Sequence, residues 1–169
     1  MYRFVTVALW AVLATVGPVR AFETVVTGGW TVGTNFDFQP PACDAKAVFD
    51  TGERLVIGLD PSSRTVFAAL HVVGLEGVGE DTVHTLDIAF GSESPWRFEA
   101  LGALGAEGVP YVFARTDDPL FLEEFATGPD VALALDGEPL ARLALGEPAL
   151  ALEALLRCQE AVLDPEAPA

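Results

Sequence analysis

Turn-forming residues recur every 8 to 14 residues through the middle of this 169-residue chain, with β-rich runs between them. That spacing constrains the fold more than any other feature, because it is the spacing of an all-β sandwich or barrel. The runs 30–34, 45–49 and 54–59 read as the first strands, with Pro40-Pro41 and Thr51-Gly52 marking the breaks, and 65–73 is the longest. In 83–90 the alternation is clean. Leu86, Ile88 and Phe90 share one face with His84, while Thr85 and Asp87 point the other way, which is the pattern of a half-buried strand. The runs 96–101 and 110–115 repeat the period with Trp96 and Phe98, then Tyr111 and Phe113.

Two segments break this pattern. Asp118-Pro119 opens a short helix at 119–126, since Asp caps a helix, Pro suits its first turn and Gly128 sits where a C-terminal cap belongs. Pro148 opens a second, 149–162, with Leu152, Leu155, Leu156 and Val162 as its apolar stripe and Cys158 beside it. Between them, 131–135 and 140–145 form a hairpin with two competing registers. A two-residue Asp136-Gly137 loop sets Leu133 opposite Leu140 but Val131 opposite Arg142. A three-residue Gly137-Glu138-Pro139 loop aligns Val131, Leu133 and Leu135 with Leu145, Leu143 and Ala141, and is preferred because it keeps Arg142 off the apolar face. The expected fold is mainly β: an antiparallel sandwich or barrel-like domain over 22–163 with two helices and a loose tail, 164–169.

Residues 1–21 read as an export signal: Arg3, an apolar run from Phe4 to Val16, a Gly17-Pro18 break and Val19-Arg20-Ala21 at the cleavage point. The run is shorter than the roughly 20 residues a spanning helix needs, so cleavage after Ala21 and no stable membrane insertion are expected. The product belongs in the periplasm or outside the cell. Cys43 and Cys158 are the only cysteines, and an oxidising compartment favours one structural disulfide between them.

The whole chain carries a net charge of −16, and without Arg3 and Arg20 it carries seven basic against 25 acidic side chains, or −18. Nucleic acid is excluded as a partner, because binding it requires a basic stripe that displaces counterions from phosphates, and Lys46 is the only lysine. The same charge has two readings, solubility in a salty environment, which is preferred, and steering of a cationic partner, whose complex would weaken steeply with ionic strength.

Acid-base chemistry would look first to His71 and His84, which a metal-dependent hydrolase would need on neighbouring strands together with Glu76, Glu80 or Asp81. Ser62, Ser63, Ser92 and Ser94 sit in expected turns, and none lies in a nucleophile motif. Asp117-Asp118 and Glu123-Glu124 read as solvated acidic pairs, and Asn35 with Asp37 or Asp60 with Ser62 offers oxygens without an EF-hand series. No catalytic residue, cofactor or metal site is therefore assigned. Of the aromatic residues that could line a groove, Phe36 and Phe38 stand out. They lie in a stretch, 34–41, that reads as a loop, where large apolar side chains lack an evident burial partner. Phe36, Asp37 and Phe38 are the candidate partner-binding loop, set against the preferred alternative that the aromatic pair folds back over the sandwich edge.

Gly28-Gly29-Trp30-Thr31-Val32, Cys43-Asp44-Ala45 and the closing Leu143-Ala144-Leu145-Gly146 with the Ala/Leu segment 149–155 together resemble the invasion-associated locus B family of secreted proteobacterial proteins. The matched stretches cover about a quarter of the chain. The chain departs from the family in placing its second cysteine at Cys158 and in being acidic. The resemblance implies an exported β-sandwich and assigns no catalytic residue. The expected function is that of a non-enzymatic envelope or secreted protein-binding module. Its specific form would be an inhibitor of a cationic envelope enzyme such as a lysozyme.

Overall fold

The computed structural model describes residues 22–50, 52–71, 77–105 and 108–164. The expected signal, 1–21, lies outside them, as do Val72, Val73, Glu76 and the expected tail beyond Asp164.

The alternating runs form strands β1 (Val25–Thr27), β2 (Trp30–Asn35), β3 (Ala42–Val48), β4 (Arg54–Asp60), β5 (Thr65–His71), β6 (Val83–Phe90), β7 (Trp96–Leu104), β8 (Pro110–Thr116), β9 (Asp130–Leu135) and β10 (Glu138–Ala144). The expected mainly β domain is realised as one ten-stranded antiparallel sheet in the order β1-β2-β3-β4-β5-β8-β7-β6-β9-β10. Its end strands do not pair, but its two ends approach: Glu147 N–H donates to the Gly28 carbonyl at 3.1 Å, and the Trp30 indole donates to the Leu145 carbonyl at 2.8 Å. One face of every long strand feeds a shared core that includes Trp30, Val32, Leu55, Ile57, Leu70, Leu86, Ile88 and Val131. The period-2 logic of the sequence is the physical cause, because alternate side chains must leave water together.

The β9–β10 hairpin corrects the preferred register. Asp136 and Gly137, at φ 52° and 84°, form a two-residue turn of the kind that matches strand twist. A bulge between Pro139 and Ala141 then shifts the pairing, setting Leu143 opposite Val131 and Ala141 opposite Leu133. Arg142 falls opposite Ala132, on the face away from the core, where it bonds Asp130. The reason for preferring the three-residue loop holds, but a bulge rather than a longer loop satisfies it.

Helix α1 (Leu120–Thr127) begins where expected, with the Asp118 carboxylate accepting the Leu120 N–H at 3.0 Å. Phe121 and Phe125, one turn apart, are its buried residues and pack edge-on against Phe90, with Trp30 touching Phe125. Gly128 ends the helix but is extended, at φ −71°, rather than left-handed; a β-carbon there would approach Phe90 Cβ to 2.9 Å. Helix α2 (Pro148–Leu163) packs on β2, β3 and α1. Its buried face runs through Pro148, Ala151, Leu155 and Cys158, so the expected stripe is corrected: Leu156 is 50% exposed. Alanines let the helix axis approach the sheet more closely than a leucine stripe would allow. Cys158 is bonded to Cys43 on β3, with 6.0 Å between their Cα atoms and both side chains fully buried. No helix among the described residues is long and apolar enough to cross a membrane.

Candidate functional site

Strand pairing gathers several features at one end of the sheet. The β2–β3 loop, the β4–β5 turn and the junction of β8 with α1 all lie there, and the disulfide to Cys43 brings the C-terminal half of α2 to the same end. The candidate loop residues Phe36, Asp37 and Phe38 are therefore close to the helical layer in space.

The structure divides that loop. Phe38 folds back onto the outer face of the sheet, its ring stacked on Phe67 at 5.0 Å. Phe67 stacks in turn on Phe113 at 5.5 Å, and the Arg115 guanidinium lies 4.7 Å over that ring. Phe67 is buried although its neighbours Val66 and Ala68 face the core, because it lies across Gly58, where any β-carbon would overlap the ring. Asn35 holds the other side of the loop. Its Oδ1 accepts the Asp37 N–H at 3.0 Å, and its Nδ2 donates to Asp44 Oδ2 at 2.9 Å. Phe36, between these two anchors, is 53% exposed, and Asp37 is exposed beside it.

Asp44, which anchors Asn35, is buried on the outer face with Lys46 Nζ at 3.4 Å. Burial raises its carboxyl above the usual value of 3.8, against the pull of Lys46 and the Asn35 hydrogen bond. Because the folded protein then holds this proton to a higher pH than the unfolded chain, stability falls as pH rises from 3.8 through the raised value. Asp44→Asn, which still accepts from Asn35, is expected to remove that slope and to be at least as stable as the parent at neutral pH. Urea midpoints of both proteins at mildly acidic and neutral pH check it.

The other candidates take structural positions. Burial pushes Asp60 up, but the hydrogen bonds from Ser62 and Ser63 outweigh it and lower its carboxyl; Arg115 lies 3.4 Å away. Asp118 caps α1, and Glu124 accepts the Trp96 indole N–H at 2.6 Å. Trp30 is in the core, Trp96 and Phe98 pack edge-on against Phe121, and Tyr111 lies tilted against His71 with ring centroids 4.9 Å apart.

His71 and His84 are not brought together, since β8 and β7 lie between their strands. Burial lowers the His71 pKa, with Arg54 adding to the effect. His84 instead bridges elements, its Nδ1 2.8 Å from Asp136 Oδ2 and its Nε2 2.9 Å from Thr82 Oγ1. Sequence reasoning missed this Thr82–His84–Asp136 chain because Asp136 is a turn residue 52 positions from the histidine. The hydrogen bonds from His84 and from the Thr85 N–H hold the Asp136 carboxyl below its usual range. The Thr82 hydroxyl also bonds Gly79 on both its N–H and its carbonyl, and a β-carbon at Gly102 would overlap it. Packed in this way, the hydroxyl ties the 79–82 turn to the start of β6. Among the described residues no group of His, Cys, Asp or Glu is arranged to hold a metal ion.

Asp37, Asp117, Glu160 and Asp164 are exposed around the loop end, where Arg64 is also exposed, Lys46 and Arg115 are exposed on the adjoining outer face, and Arg157, the sole cation on either helix, bonds Glu153. An exposed aromatic side chain on a braced loop, with Asp37 exposed beside it, is the arrangement these elements build. No family model, no curated protein and no solved structure matches this chain.

Proposed function

We propose that the protein is an exported, non-enzymatic module of the periplasm or extracellular medium that binds a cationic protein through Phe36 and Asp37. The observation that carries this reading is Phe36: 53% exposed between Phe38, stacked on Phe67, and Asn35, bonded to Asp37 and Asp44. An aromatic side chain held ready in its loop loses little freedom on binding and makes an effective anchor in a partner's apolar pocket. The exposed Asp37 beside it and the −16 charge of the chain would accelerate encounter with a basic surface. A buried disulfide and the lack of a membrane-spanning helix among the described residues are compatible with export. The hydrolase reading required His71 and His84 on neighbouring strands, and with β8 and β7 between them it is not carried forward.

The test passes envelope extract over the immobilised protein at low salt and elutes with high salt, in parallel with Phe36→Ala. The expected result is a discrete basic protein, released by salt and retained about 30-fold more weakly, or less, by the variant. Phe36→Ala leaves the urea midpoint unchanged, as befits an exposed side chain. Equal retention by both proteins overturns the role of the loop. Inhibition of a cationic lysozyme at low salt, relieved by salt and by Phe36→Ala, would establish the inhibitor form of the reading, and undiminished lysozyme activity would remove it.

A further inference from the structure

Asp136-Gly137 is the one Asp-Gly pair in the sequence, which holds no Asn-Gly pair. Such a pair is open to a reaction of its own main chain. The Gly137 nitrogen attacks Asp136 Cγ, a C–N bond forms, and one carboxyl oxygen leaves as water with the amide proton and a proton from the medium. Solvent water then opens the cyclic imide at either carbonyl, and opening at the main-chain carbonyl leaves the chain running through Cγ as isoaspartate. Glycine favours the attack because it sets no β-carbon beside the nitrogen. Nothing lies within 4 Å of where a β-carbon of Gly137 would stand, and the Asp136 side chain is 54% exposed, so neither crowding nor burial protects the pair.

The carboxylate is instead held by β6. Its Oδ1 accepts the Thr85 N–H at 2.8 Å, its Oδ2 lies 2.8 Å from His84 Nδ1, and the Asp136 N–H donates to the Thr85 carbonyl at 2.8 Å. Thr82 Oγ1, 2.9 Å from Nε2, fixes the far side of the ring. A carboxylate offers only acceptors, so Nδ1 donates in this bond. Both oxygens are thus occupied by donors that favour the ionised carboxyl and hold it below its usual range. The ionised form is the unreactive one, because an oxygen leaves as water only after it has gained protons. We propose that Asp136-Gly137 is a latent site of isoaspartate formation, held closed by the His84 ring and the Thr85 N–H. Isomerisation would lengthen the main chain inside the turn that sets Leu135 opposite Glu138, and so disturb the register that buries Val131, Leu133 and Leu135. The site is independent of the Phe36 contact, and either can stand without the other.

The test holds the full chain at neutral pH in water enriched in heavy oxygen, since each passage through the imide leaves one solvent oxygen in the carboxyl group. Uptake and isoaspartate in the peptide containing Asp136 are followed by mass spectrometry for the parent, His84→Leu, His84→Asn and the parent unfolded in urea. Leu and Asn match one another in shape, but only Asn places a donor where Nδ1 stood. The expected rate for His84→Leu is about tenfold or more above that of the folded parent, the effect of losing one hydrogen bond to a charged group, with His84→Asn close to the parent and the unfolded chain fastest. Urea midpoints establish that each variant is folded, and His84→Ala replaces the Leu variant should that one not fold. Equal rates in the parent and the variant without a donor would overturn the inference, as would a His84→Asn rate as high as that of His84→Leu. A slower reaction in His84→Leu would overturn it too, because His84 would then be delivering the proton to the leaving oxygen.

Discussion

Trp30→Ala lowers the stability of this protein by about 3–5 kcal/mol, the cost expected when a fully buried indole is cut back to a methyl group. Trp30 is 0% exposed, meets Phe125 edge-on at 5.1 Å and donates to the Leu145 carbonyl at 2.8 Å. It thus joins three parts of the core that are distant in the chain: the start of β2, helix α1 and the segment after β10. Trp30→Phe separates the two contributions. It retains most of the ring and loses the hydrogen bond, so it should cost about 1–3 kcal/mol for the stranded carbonyl and the smaller volume. Urea unfolding measures both, and a lowered midpoint with an unchanged slope marks a true loss of stability. Midpoints within error of the parent would mean that the ends of the sheet are not held together at Trp30.

The second large effect concerns the bridge between Cys43 and Cys158. It closes a loop with a sequence separation of 115, for which the chain-entropy model gives about 4.7 kcal/mol as an upper figure and roughly 2–4 is more usual. Both sulfurs are fully buried, so the comparison is best made with the double variant Cys43→Ala, Cys158→Ala rather than by adding reductant to the folded protein. Loss of about 2–4 kcal/mol is expected. Hydrogen exchange should rise first in α2, which keeps the hydrogen bond from the Cys43 N–H to Gln159 Oε1 when the bridge is lost. An unchanged midpoint would show that helix packing alone fixes α2.

Most strands were legible because each has one face in the core, and period-2 alternation survives whatever its neighbours are. Strand order was not legible: β5 pairs with β8 rather than β6, a choice made by contacts far apart in sequence. Leu140 shows the limit at finer scale, since the bulge beside it shifts the register by one residue and the turn sequence alone does not announce it. Leu156 shows another, because α2 seats itself on alanines whose small size carries little hydrophobic signal. In the candidate site, Phe36 and Phe38 were visible as large apolar residues in a loop. Their different fates were not, because Phe38 depends on the space that Gly58 leaves around Phe67. Asp44 was equally hidden, its partner Asn35 lying across a strand pair rather than along the chain.

Binding kinetics of the purified partner test the central claim most directly, measured for the parent, Phe36→Ala and Asp37→Asn across a range of ionic strength. The account predicts an association rate that falls steeply with salt for the parent and for Phe36→Ala, less steeply for Asp37→Asn, and a dissociation rate raised about 30-fold or more by Phe36→Ala alone. Association independent of salt, with a dissociation rate indifferent to Phe36, would contradict it.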